Sequence, residues 1–98
     1  MMLITKELEK RFKEVGDQSN ESNPIVIVKL FNPCGAGTWY LTEYDPETRI
    51  AFGYVTGLCE DEWGSISIEE LENVNLPFGL KIERDLYFKE QTFKDLQL

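Results

Sequence analysis

Two strand-forming runs, residues 25–31 and 38–44, are separated by Asn32-Pro33-Cys34-Gly35-Ala36-Gly37 before the chain enters Thr38-Trp39-Tyr40. The first run opens Ile25-Val26-Ile27-Val28, the composition of a strand buried on much of both faces. A plain hairpin between such strands needs only about two to five residues. A longer connection with two glycines lets something approach the backbone closely, either a ligand or the chain itself in a turn or bulge. A sheet built around this loop is the first constraint on the fold.

Ninety-eight residues, 42% of them hydrophobic and 12% aromatic, suit one domain with a single modest core. Net charge is −8, from 18 acidic and 10 basic residues, with no histidine. Lys6, Lys10, Arg11 and Lys13 share one segment, but Glu7, Glu9 and Glu14 are interleaved with them at helix-surface spacings. Residues 50–80 contain no Lys or Arg. Phosphate binding needs clustered cations that displace counterions, so the pattern argues against direct nucleic-acid contact. A basic protein partner, or solubility alone, accounts for the acidity. The N-terminal stretch lacks a long apolar segment and no run approaches the ~18 apolar residues of a membrane span, so the expected location is cytoplasmic. Cys34 and Cys59 are then expected as free thiols.

Thr5 reads as a helix N-cap; Ile4, Leu8, Phe12 and Val15 follow on one helical face, and Gly16 ends it. Residues 17–24 are polar and read as a mobile loop. Strands are expected at 25–31, 38–44, 49–56 and 80–88, with Asp45-Pro46-Glu47-Thr48 as the turn of the central hairpin. That turn sets Tyr44 opposite Arg49 and Tyr40 opposite Gly53. Trp39, Leu41, Ile50, Phe52 and Tyr54 would then share an apolar face, opposite a mixed face of Tyr40, Thr42, Tyr44, Arg49, Ala51, Gly53 and Val55. Residues 59–64 read as an acidic loop around Trp63. Ser67 caps a short second helix, with Glu70 at the capping-box position and Leu71 and Val74 as its buried edge. A short helix is expected over 92–98. The fold class is α+β: an antiparallel meander of about four strands, with the N-terminal helix and a short second helix packed on it.

No catalytic constellation emerges. The glycine loop (Asn32, Gly35, Gly37) lacks the GK[ST] ending of a phosphate loop and leads into a strand rather than a helix. Cys34 and Cys59 have no histidine to activate them. Glu60, Asp61 and Glu62 are consecutive and diverge, unlike the spaced ligands that wrap a hard cation, so no metal is expected. They read as a solvated loop or as a contact for a basic partner. On a strand, Glu83 and Asp85 share one face and Arg84 takes the other, where it can pair with neighbouring carboxylates. Trp39 belongs to the core, whereas Trp63, set among acids and glycine, is the candidate for an exposed aromatic.

The segments Leu3-Ile4-Thr5, Phe31-Asn32-Pro33, Gly35-Ala36-Gly37-Thr38-Trp39-Tyr40 and Thr42-Glu43-Tyr44-Asp45-Pro46 are distinctive together. So are Phe52-Gly53-Tyr54-Val55, Asp61-Glu62-Trp63-Gly64, Pro77-Phe78-Gly79-Leu80 and Ile82-Glu83-Arg84-Asp85. With them the chain resembles, over nearly its whole length, a small bacterial single-domain family of unknown function, often encoded on plasmids and integrative elements. Members often carry a small residue such as Ala at the position of Cys34, which counts against a catalytic thiol. The resemblance brings no established activity; it implies the context of a mobile element, whose small cargo genes often act on host or competitor proteins. The expectation is a non-enzymatic, cofactor-free protein-binding module using the acidic surface. The alternative is a ligand-binding protein or enzyme whose pocket joins the 32–40 loop to Tyr44, Arg49 and Glu83. A third reading is a homodimer formed through a sheet edge.

Overall fold

A computed structural model describes residues 2–98. Helix α1 (Lys6–Val15) starts where Thr5 Oγ1 accepts the Leu8 N–H at 3.2 Å, and it ends at Gly16, whose φ of 75° suits glycine. Glu7 and Glu9 in its first turn and Lys13 in its last complement the helix dipole. Helix α2 (Ile68–Asn73) is capped by Ser67, whose hydroxyl accepts the Glu70 N–H. Ile68 is its fully buried residue, with Leu71 and Val74 packed against the core.

Five antiparallel strands form the main sheet in the order β5-β4-β3-β2-β6: β2 (Val28–Phe31), β3 (Thr38–Asp45), β4 (Ile50–Thr56), β5 (Glu62–Ser67) and β6 (Glu83–Arg84). A two-stranded sheet pairs β1 (Ile25–Val26) with β7 (Gln91–Thr92). The α+β class therefore holds, while three strand segments and the terminal helix differ from expectation. The 25–31 run divides at Ile27, which gives its N–H to Leu41. Residues 62–67 form a strand rather than the end of a loop. The 80–88 strand shrinks to two residues because the Asp85 carboxylate takes the Tyr87 N–H and turns the chain. The terminal helix is a single 3₁₀ turn, Lys94–Leu96.

The hairpin register is the consequential correction. Asp45 pairs with Ile50 and Tyr44 with Ala51, so the loop is 46–49. Thr42 is then left out of the ladder as a bulge, after which Leu41 pairs with Gly53, Tyr40 with Tyr54 and Trp39 with Val55. One extra residue reverses the face of everything beyond it. Trp39, Leu41, Ala51 and Val55 therefore face the core with Val28, Leu30 and Ile66. Ile50, Phe52 and Tyr54, expected beside Trp39, lie on the other face. The Phe12 and Tyr44 rings, 5.7 Å apart, seat α1 over the core side.

The bulge has a dedicated partner. Gln18 is only 6% exposed. Its Nε2 donates to the carbonyls of Thr42 (2.8 Å) and Ile25 (2.9 Å), and its Oε1 accepts the Ile25 N–H (2.7 Å). The 17–24 loop, read from sequence as mobile, is anchored by this amide. Beside it, the Ser19 N–H and then the Ser19 hydroxyl hold the Asp17 carboxyl below its ordinary pKa.

Gly53 stands opposite Leu41, not opposite Tyr40 as expected. A Cβ there would overlap the Tyr40 carbonyl oxygen, whereas one on Gly35 would meet nothing within 4 Å. Gly53→Ala is expected to cost about 2–3 kcal/mol or more, because the clash is with backbone. Gly35→Ala should stay within about 0.5 kcal/mol. Urea unfolding of the two variants checks the pair.

Candidate functional site

The face turned away from the core carries one row of side chains across β2, β3, β4 and β5, extended by the residue that follows β6. Asp85 gives its N–H to the Lys29 carbonyl, and Lys29, Tyr40, Tyr54 and Trp63 follow as successive cross-strand partners. Lys29 Nζ lies 3.5 Å from the Asp85 carboxylate and 6.0 Å from the centroid of the Tyr40 ring. Trp63 meets Tyr54 edge-on at 5.3 Å and lies nearly parallel to Phe52, with planes 12° apart and centroids at 5.9 Å. Phe93 arrives from the C-terminal segment, 5.0 Å from Tyr54 and 4.8 Å from Trp63. Its position is fixed by its own N–H bonded to the Pro24 carbonyl and by the Lys94 N–H bonded to Asn23 Oδ1. Tyr40 is covered, while Trp63 (37%) and Phe52 (39%) stay partly open. This is an aromatic platform with an ion pair at one end.

Three separate places hold the residues singled out from sequence. Tyr40, Trp63 and Asp85 belong to the platform row, and Glu83 lies beside it, paired in register with Phe31. Arg84 turns to the other side, where Nη1 donates to the carbonyls of Met2 and Leu3 and ties down the N-terminal segment.

At one end of the sheet, Asn32, Gly35 and Gly37 meet the acidic loop. Asn32 closes its turn by accepting the Cys34 N–H on Oδ1 and by giving its own N–H to Gly37. Gly37, at φ 120°, lies so close to Trp39 and Leu58 that a Cβ would stand 3.2 Å from the indole. The close approach read from the two glycines is thus made by the protein's own core tryptophan. Asp61 Oδ1 accepts the Gly57 N–H, and Glu60 and Glu62 project into solvent.

The opposite end holds Tyr44 and Arg49, six strand residues or roughly 20 Å from Thr38. Arg49 adopts φ 59° and donates to Glu72 Oε1 at 2.7 Å. The bonds to Glu72 and then to Tyr44 raise its pKa above the ordinary value. Glu72 Oε2 accepts the Leu3 N–H as well, so this cluster joins α2, the hairpin and the N-terminus. A pocket made jointly of the glycine loop, Tyr44 and Arg49 is not formed.

Sequence reasoning missed Lys29, Phe52, Tyr54, Phe93 and Gln18. The first three follow from the register once the bulge is known. Gln18 and Phe93 act through contacts remote in the chain and leave no local signal. Two hollows adjoin the platform. An open groove of about 1090 Å³ runs between α1 and the hairpin over Phe12, Tyr44, Ala51 and Phe52. A smaller one, about 190 Å³, lies between the 18–24 loop and the pair Phe52 and Trp63. Among the described residues, no group of three or more His, Cys, Asp or Glu is placed to hold a metal ion. No helix among them is long and apolar enough to cross a membrane.

Phe93→Ala should destabilise the protein by about 2 kcal/mol, since a partly buried aromatic is removed. It should also red-shift the Trp63 emission, leaving Trp39 on the core face unchanged. Tyr87→Ala, at a side chain 93% exposed, should change neither. Unfolding curves and tryptophan emission spectra read both effects.

The model of a family described as a protein of unknown function (DUF2958) matches residues 3–94, and the chain belongs to that family. Neither the curated proteins nor the solved structures give a match.

Proposed function

We infer that this protein is a non-enzymatic protein-binding module, the accessory product of a mobile genetic element, and that it engages a basic partner through the glycine-loop end of its sheet. The observation that carries this reading is Phe78. Its side chain is 98% exposed and its φ is 62°, a conformation that costs a non-glycine residue about 1–2 kcal/mol. An exposed ring gives the isolated fold nothing in return, so the strain is best explained by contact with something else.

The surroundings support a protein partner. Pro77, next to Phe78, accepts a long contact (3.7 Å) from Cys34 Sγ, which brings the 77–79 turn beside the glycine loop. Leu58, 56% exposed, reaches Gly37 from the acidic loop. Leu58 shares its loop with Glu60 and Glu62, and the turn of Phe78 adjoins the same glycine loop that Leu58 reaches, on a chain of net charge −8. Aromatic residues, Phe among them, are enriched at interface cores, which polar rims surround. The acids choose a basic partner and speed encounter.

The test is an affinity capture from host lysate with wild type, Phe78→Ala and a Glu60→Lys/Glu62→Lys variant. Asp61 is left intact because it bonds the Gly57 N–H. One partner is expected with wild type, weakened at least about tenfold by either variant and by raised salt. Equal capture by all three proteins, or binding indifferent to salt, would overturn the reading.

A further inference from the structure

The small hollow beside Phe52 and Trp63 has a composition that selects its occupant. Two carboxylates, Glu21 and Glu43, share its wall with the two aromatic rings, and no Lys or Arg lines it. Among the described residues neither carboxylate forms an ion pair, the common condition of the acidic residues in this chain. The floor is settled: the Gln18 amide is fully engaged by Ile25 and Thr42, so it offers an incoming group a rigid surface. A volume near 190 Å³ is enough for one long side chain.

We propose that this hollow binds the guanidinium of an arginine on the partner protein. The planar cation stacks on aromatic rings and forks onto carboxylates, and it is more weakly hydrated than an ammonium, so it loses less on entering a half-closed site. An aliphatic group would gain nothing from the two carboxylates, and an anion would be repelled by them. The inference rests on the reading of a basic partner given above and adds the chemistry of one contact. The site lies on the platform face, in a different place from Phe78.

The test needs no identified partner. The capped peptide Gly-Ser-Arg-Ser-Gly, its citrulline analogue and free guanidinium chloride are titrated into ¹⁵N-labelled protein. The Trp63 indole and Gln18 side-chain amide resonances are followed. The arginine peptide should shift both saturably, with the uncharged citrulline peptide weaker by about tenfold. Glu21→Gln/Glu43→Gln, two surface changes whose folding the same spectrum verifies, should weaken the arginine peptide about tenfold. Free guanidinium binding as tightly as the peptide would assign the site to a small cation and overturn the partner-side-chain proposal. Equal binding of arginine and citrulline, indifference to the double substitution, or no saturable shift would overturn it too. Peptide failure with successful capture by wild type would sink this inference alone; peptide binding with no captured partner would sink the function instead.

Discussion

A single side-chain amide decides which residues of this sheet face water. The Thr42 bulge removes one carbonyl from the ladder, and a buried carbonyl without a donor costs about 1–3 kcal/mol. Gln18 supplies the donor and simultaneously pairs with both backbone groups of Ile25, behaving as a one-residue extension of the sheet. Three bonds at 2.7–2.9 Å from a residue 6% exposed anchor the 17–24 loop to the sheet at Gln18, while Asp17 and residues 19–22 stay exposed.

The rest of the molecule follows from that reversal of faces. With the bulge in place, Trp39 and Leu41 turn inward and the glycine loop tightens around the Trp39 indole. Tyr40, Tyr54 and Trp63 turn outward into the row that ends at Lys29 and Asp85. The C-terminal segment then has an aromatic surface to dock on, and Phe93 uses it. The bidentate contact of Arg11 with Glu90, which raises the pKa of Arg11, ties that segment back to α1. The glycine-loop end keeps Leu58 and Phe78 exposed and clear of this packing.

What could be read from sequence was what is local. Thr5 and Ser67 cap their helices by bonding a residue three positions on, and Gly16 ends α1 through its own backbone freedom. Such features need no knowledge of the rest of the chain. The hairpin was legible as a hairpin, but the face of each residue depended on a bulge stabilised from 24 residues away. Strand β5 was hidden because Gly64, Ser65 and Ser67 dilute its alternation, and only pairing with β4 makes it a strand. The acidic run and the glycine loop were recognised separately. Their adjacency appears only when Leu58 meets Gly37.

The clamp can be tested by its protons. Glutamate at position 18 keeps the acceptor for Ile25 but, when ionised, has no donor for Thr42. Protonation restores one donor only in the folded state, so the folded pKa of that carboxyl must exceed its ordinary value near 4.3. Its contribution to stability is then present at low pH and lost as pH rises through that folded pKa. The measurement is the unfolding free energy of Gln18→Glu relative to wild type across pH. A deficit of about 2–4 kcal/mol at pH 7 that narrows on acidification is the predicted result. A gap below about 0.5 kcal/mol and flat in pH would show that the bulge, and the face it exposes, do not depend on Gln18.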